Sequence, residues 1–433
     1  MLLFLSINQP CLPIFFYNII LVLYRAGIGI TSFWNVKARK WIEGRKNIFE
    51  SIQLAIRPVP GSKNSEIVWI HCSSLGEFEQ GRPVMEKIKT KFPNYRLLVT
   101  FFSPSGYEIK KNHEGADYVF YLPMDSKRNA QKFLDLVNPA LVIFIKYDYW
   151  YYYLSEIKKR NINCLLISAV FRKDQAFFKW YGSLQRMMLH CFTAIFVQND
   201  ESLELLKRIN ITNCSVSGDT RFDRVIEIAK KFEPLPPIEK FINNSKCIVA
   251  GSTWKEDEES LAKVLYEADD PGVKLIIAPH EVTEGHLKEL KYLFPQSFFF
   301  SELINDSRLM TAILIIDNIG MLSRLYKYGD ITYVGGGFSR DGVHNVLEAA
   351  VYGKPVIFGE NYKKYNVAVD LIESGCAKSF SDCDELYQSL ITLLIDDDDY
   401  RKKCAAAEKY VFKNAGATKR VLKYIQENRL LTS

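Results

Sequence analysis

Histidine is scarce in this 433-residue chain, six in all, and no pair stands at His-x-x-x-His spacing. Nine cysteines (Cys11, Cys72, Cys164, Cys191, Cys214, Cys247, Cys376, Cys383 and Cys404) include no Cys-x-x-Cys pair. Without such clusters no metal site is expected, and no other cofactor is implied. The odd count and the scatter predict reduced, mostly buried thiols in a cytoplasmic body. Excess charge is also small: a formal +6 over 433 residues does not by itself imply nucleic acid. It suits anionic small molecules or an anionic membrane surface equally well. Short repeats and low-complexity tracts are missing too.

A long apolar run is nearly absent. Residues 11–24 are apolar apart from Asn18, and Arg25 ends the run, short of the ~20 residues that a bilayer crossing needs. A gentler apolar stretch, Ala26–Trp34, continues it, followed by Lys37, Arg39, Lys40, Arg45 and Lys46. No small-residue cleavage site follows, which argues against a removed signal peptide. The pattern predicts an interfacial or marginally spanning anchor within residues 1–47. Its basic cluster would hold the body on the cytoplasmic side. A buried helix packed on the first domain is the competing expectation.

What the chain does have is alternation. Length and a 48% hydrophobic, 24% charged composition predict two or three globular domains. From Glu66, short buried strands alternate with helical stretches: Ile67–Cys72, Arg96–Phe102, Tyr118–Leu122, Ala140–Ile145, Cys164–Val170 and Ala194–Gln198. A linker, residues 230–246, carries Pro234, Pro236 and Pro237. The pattern then repeats: Cys247–Gly251, Val273–Ala278, Ser297–Phe300, Ala312–Asp317, Ile331–Val334 and Val356–Phe358. The expected fold is α/β, two Rossmann-like parallel-sheet domains (48–229 and 247–415) facing across a cleft, with helix at 416–433.

Two stretches carry chemistry. In residues 331–359 a strand runs into Gly335, Gly336 and Gly337, then a helical pattern from about Val343, then a second strand ended by Gly359. Free backbone N–H groups and a helix N-terminus would together favour a phosphate. Arg340 stands where the dinucleotide fingerprint needs its third glycine, so a nucleotide dehydrogenase is disfavoured. His344 and Glu348, four apart on the expected helix, share one face, where Glu348 can accept from a ribose diol. A solvated side-chain pair is the bland alternative. The other stretch is His71–Glu77, at the end of the first strand. Ser74 to Glu77 has capping-box spacing, so Glu77 either satisfies the helix start or takes a proton from an acceptor hydroxyl.

The block Val68-Trp69-Ile70-His71-Cys72-Ser73-Ser74-Leu75-Gly76-Glu77 resembles the first characteristic block of 3-deoxy-D-manno-octulosonic acid (Kdo) transferases of lipopolysaccharide biosynthesis. Gly218–Asp223, Ala250–Trp254 and Gly335–Ala350 are similar to that family's later blocks. The resemblance runs from about residue 15 to 425. It implies a GT-B glycosyltransferase of the inner membrane that moves Kdo from CMP-Kdo to a lipid A precursor (lipid IVA), with inversion and without metal. By resemblance Glu77 is the general base. Ser252, Thr253, Gly335, Gly336, Gly337, His344, Asn345 and Glu348 hold the donor, and Ser74 and Gly76 stand at the acceptor.

Three departures qualify this. Lys146-Tyr147-Asp148-Tyr149-Trp150-Tyr151 replaces the family's acidic pair before Trp-Pro, and Lys146 is expected to meet a lipid phosphate. Ala278-Pro279-His280-Glu281 lacks an arginine of the family's block, for which Arg221 or Arg340 would substitute as an anion clamp. Glu348-Ala349 replaces Glu-Pro. The alternatives are another GT-B enzyme using a UDP-sugar on a membrane lipid, and a membrane-anchored nucleotide-sugar-binding protein without turnover.

Overall fold

The computed structural model describes residues 11–57, 65–268, 272–305 and 312–432; residues 1–10 of the expected anchor lie outside them. The chain forms two compact units. Unit 1 runs to Arg224 and resumes at Gly416; unit 2 is Val225–Ala415. The division therefore falls before the proline segment. Pro236 and Pro237 open a helix, Pro236–Ile242, within unit 2, since a proline in the first helical turn loses no hydrogen bond.

Unit 1 holds seven strands: β1 Ile67–Cys72, β2 Arg96–Phe101, β3 Tyr118–Tyr121, β4 Pro139–Ile145, β5 Asn163–Ala169, β6 Ala194–Val197 and β7 Cys214–Val216. They pair in parallel in the order β3-β2-β1-β4-β5-β6-β7. All six residues of β1 are buried, as a strand covered on both faces must be. Alternate residues serve opposite faces. Trp69 packs with Phe133, Phe144 and Tyr153, whereas Val68 and Ile70 join Phe78 and Ile88. The second face is completed by the end of the chain. The Ala417–Glu427 helix buries Val421, Leu422 and Ile425 there, each worth ~1.5–3 kcal/mol. The Asp223 carboxylate fixes its start, accepting the N–H groups of Gly416 and Thr418, both at 2.6 Å.

Unit 2 also has seven strands: β8 Lys246–Thr253, β9 Val273–Pro279, β10 Phe298–Phe299, β11 Ile313–Ile315, β12 Ile331–Val334, β13 Val356–Gly359 and β14 Ala377–Phe380. The order is β10-β11-β9-β8-β12-β13-β14, again parallel.

The strand orders decide where ligands can bind. β1 lies between β2 and β4, and β8 between β9 and β12, so the chain leaves each of these strands to both sides. Crevices in open α/β sheets form at such switch points, beyond the strands' carboxyl ends. Ser73–Glu77 follow β1. Ser252 and Thr253 end β8, beside the glycines that follow β12.

Candidate active site

In unit 1, Ser74 is extended (φ −137°) and starts the Leu75–Lys91 helix. Glu77 Oε2 accepts the Ser74 N–H at 2.8 Å and the Ser74 hydroxyl at 3.2 Å. The cap expected from the spacing is formed, and both of these bonds fall on one oxygen. Burial raises the Glu77 pKa; its bonds to Ser74, the nearby Lys146 charge and the Ser73 backbone pull it back. Gly76 is exposed, and a Cβ there would meet only Ser74 Oγ, at 4.0 Å. Nothing in the fold requires glycine at that position.

Behind Glu77 lies a polar cluster that the sequence reading left unassigned. Ser73 donates its hydroxyl to Asp148 Oδ1. Asp148 is 5% exposed, and its Oδ2 has no hydrogen-bond partner among the described residues. Burial and then the charge of Glu77 push its pKa well up. His71 Nε2 lies 3.5 Å from Asp148, yet the two are not an ion pair. His71 Nδ1 faces the Thr100 carbonyl oxygen at 3.1 Å and must donate there, and Nε2 accepts the Trp150 indole N–H at 3.0 Å. Full burial holds this neutral imidazole's pKa down at about 3. The sequence signal for Asp148 was its place: three residues past Ile145, at the same carboxyl edge as Glu77.

Lys146 leaves β4 in the left-handed region, φ 65°. Burial, then the Arg221 charge, lower its pKa; Asp219 and Glu77 oppose this. Arg221 thus sits beside Lys146, both in unit 1. Its Nε and Nη2 both reach Asp219 Oδ2, at 2.8 and 2.7 Å. The rest of Gly218–Asp223 is architectural. The Thr220 hydroxyl bonds the Gln80 carbonyl, and Asp223 is the cap already described.

In unit 2 the three glycines have steric reasons. A Cβ on Gly335 would meet Ser252 O at 2.3 Å, and one on Gly337 would meet Gly359 N at 2.4 Å. Gly336 has φ +88°, a conformation that favours glycine. The expected row of free N–H groups is not there. Gly335 N–H goes to Gly251 O and Gly336 N–H to Asp257 Oδ2, each at 2.9 Å. Asp257, 1% exposed, also accepts from Trp254 N–H at 2.9 Å and from the Tyr333 hydroxyl at 2.7 Å. It positions the loop, and the sequence reading missed it. Thr253 is fully buried with its hydroxyl given to Glu258 Oε1 at 2.8 Å, so its side chain is spent inside the fold. Ser252 takes φ +53° at the strand end.

The helix expected from Val343 is shorter, Leu347–Ala350. The Val343 and His344 N–H groups bond Asn361 O and Gly335 O instead, both at 3.1 Å, tying this segment to the glycine loop. His344 and Glu348 are therefore not one face of one helix. Glu348 Oε1 accepts from Asn345 Nδ2 at 2.8 Å. His344 Nε2 accepts the Trp254 indole N–H at 2.9 Å. Its ring stacks on His280, centroids 4.5 Å apart, and His280 on Trp254 at 4.6 Å. Burial and His280 lower the His344 pKa to about 4, so this ring is neutral near pH 7. The three rings form an aromatic wall.

Residues 46–224 match the family model described as 3-Deoxy-D-manno-octulosonic-acid transferase (kdotransferase), ending where the first segment of unit 1 ends. Relatives extend the likeness. The 3-deoxy-D-manno-octulosonic acid transferase of Aquifex aeolicus is 27% identical over 335 residues, 76% of this chain and 86% of that one. That of Haemophilus influenzae is 24% identical over 371 residues, 82% and 85%. Residues 46–224 thus carry the domain that this Kdo transferase model describes, and the chain is similar to Kdo transferases over most of its length. Kdo transferases are glycosyltransferases of lipopolysaccharide biosynthesis. A bifunctional glycosyltransferase/methyltransferase of Fusobacterium nucleatum is 26% identical over 312 residues, and the match spans 48% of its length. Solved structures place this chain in the GT-B fold. A UDP-GlcNAc 2-epimerase from Neisseria meningitidis bound to UDP-GlcNAc covers 84% of this chain and 100% of its own, at TM-score 0.61 and 16% identity. A glycosyltransferase from Rickettsia africae covers 84% and 99%, at 0.54 and 16%. At such identities the likeness speaks for the fold alone.

Proposed function

We propose that this protein transfers Kdo from CMP-Kdo to a lipid A precursor, lipid IVA, with inversion, at the cytoplasmic face of the inner membrane. The observation that supports this most is the family match over unit 1, which contains a carboxylate, Glu77, at the carboxyl end of β1. An acceptor hydroxyl is a poor nucleophile near neutral pH. Glu77 takes its proton as oxygen bonds the anomeric carbon and the bond to the CMP phosphate breaks. A carboxylate whose pKa is raised by burial is a stronger base than an ordinary one. Lys146 and Arg221 supply positive charge on the same unit for a lipid phosphate. In unit 2, the Trp254–His280–His344 wall offers a flat apolar surface to a nucleotide base, and Glu348 with Asn345 offers acceptor and donor to a ribose. The apolar Cys11–Thr31 helix and the lysines and arginines after it bring the protein to the membrane.

Incubation with CMP-Kdo and lipid IVA, followed by mass spectrometry, tests the reading. A lipid heavier by Kdo together with released CMP is expected. Turnover with a UDP-sugar instead, or CMP-Kdo binding without CMP release, would replace it by one of the alternatives.

A further inference from the structure

We propose that the Cys11–Thr31 helix lies in the plane of the membrane, its outer face sunk in one anionic leaflet, and does not cross the bilayer. This rests on the membrane-bound reading above and decides its geometry. By length and composition the helix passes for a spanning one: Leu12–Thr31 has mean hydropathy 1.6 over a window of which none is buried. At ~1.5 Å per residue, crossing ~30 Å of hydrocarbon would use its whole length. A crossing helix therefore leaves its globular body at one end.

Here unit 1 follows the helix along both halves. Near its start, Ile14 and Tyr17 pack on the unit 1 core. The Tyr17 hydroxyl donates to Asp125, and the Tyr152 hydroxyl donates to Asn18 Oδ1 at 2.8 Å. Towards its end, Tyr24 meets Trp41 edge-on with centroids 6.1 Å apart, and lies beside Phe102. Arg25 and Gly29 line a cavity of about 640 Å³ with Trp41, Arg45, Lys46 and Lys132. The flanking body carries Asp125 and, next to it, exposed Lys127 and Arg128. Charged groups of this kind do not enter hydrocarbon without partners. Where the body runs alongside, the helix cannot be surrounded by lipid.

The two faces of the helix agree. Ile14, Tyr17, Asn18, Leu21 and Ile28 recur at helical spacing and are partly covered. Leu12, Phe16, Leu23 and Ile30 lie opposite them, 66%, 54%, 64% and 60% exposed. Phe33 and Trp34 follow, also exposed, and Arg39 donates to the carbonyls of Ser32 and Phe33 at 3.4 and 3.5 Å. An apolar stripe ending in aromatics and cations is the signature of a helix at a lipid interface. A second copy of this chain would set Lys37, Arg39 and Lys40 against their own kind. Anionic headgroups neutralise them, so the occupant of this face is a leaflet.

The test uses the full chain with a protease-cleavable tag before Met1, in inside-out membrane vesicles that present the body outward. Removal of the tag without detergent is the expected result, because tag and body share one side. Protection of the tag until detergent is added means that the helix crosses, and overturns the proposal. So does recovery of the chain in the soluble fraction. A second readout is the cycle Asn18→Leu, Tyr152→Phe and both, melted in vesicles containing phosphatidylglycerol. The double variant should melt no lower than the worse single one; additive losses mean that the helix has left the body, and overturn the proposal. Neither readout uses catalysis, so failure here is distinct from failure of the Kdo-transfer reading.

Discussion

Asp257 accepts the backbone N–H of Gly336 at 2.9 Å. The glycine loop is thereby held by a buried acid from the segment after β8, and two of its three N–H groups are committed within the fold. The loop's shape is fixed from below, with the aromatic wall beside it.

Asp257→Ala should loosen that shape. It strands the N–H groups of Gly336 and Trp254 and the Tyr333 hydroxyl, each lost partner costing ~1–3 kcal/mol. A fall in stability of about 3 kcal/mol or more is expected, with weaker CMP binding. Tyr333→Phe, which removes one bond, should cost about 1 kcal/mol and leave CMP affinity nearly unchanged. Thermal melting and CMP titration of both variants check this.

Glu77→Gln separates base from cap. Glutamine keeps an oxygen for the Ser74 N–H, so the melting temperature should change little, in line with a cap worth ~1 kcal/mol. Turnover should fall roughly 10²–10⁴-fold, the usual cost of losing a general base. A variant that melts early yet keeps its rate per folded molecule makes Glu77 a cap only.

Asp148→Asn should show a pH-dependent stability difference of definite sign. The folded protein holds the Asp148 proton above the pH at which the unfolded chain releases it. Stability is thus lost as pH rises past the ordinary carboxylate range, and is kept below it. Asparagine does not titrate and keeps an acceptor for Ser73. The variant should therefore gain on the natural protein as pH rises from about 4 to 8. Melting curves across that range decide this.

Asp223→Ala should free the last helix. Two charge-assisted bonds are lost, each ~1.5–3 kcal/mol. Hydrogen exchange over residues 416–427 should quicken far more than over β1.

The sheets were legible because parallel strands buried on both faces read as unbroken apolar runs, as in Ile67–Cys72 and Ala140–Ile145. β7 and β14 were not, since Cys214–Val216 is three residues long and Lys378 interrupts Ala377–Phe380 with an exposed charge. Edge strands need no apolar run. The Glu77 cap was legible from its spacing. The burial of Asp148 and Asp257 was not, because it depends on which distant groups each carboxylate meets. The helix expected at Val343 failed for a related reason: its apolar spacing is real, but the backbone bonds to Gly335 and Asn361 are tertiary. The division of the chain was misread at Asp223, where one carboxylate joins residues 195 positions apart.

That joint has a consequence for synthesis. A ribosome delivers residues in order, and unit 2 can close on itself before residue 417 has been made. One face of the unit 1 sheet cannot. Until Val421, Leu422 and Ile425 emerge, the apolar surface around Val68, Ile70 and Phe78 has no cover there. The first unit to be translated is the last to be finished, and its half-clad sheet is what chaperones would meet on the nascent chain.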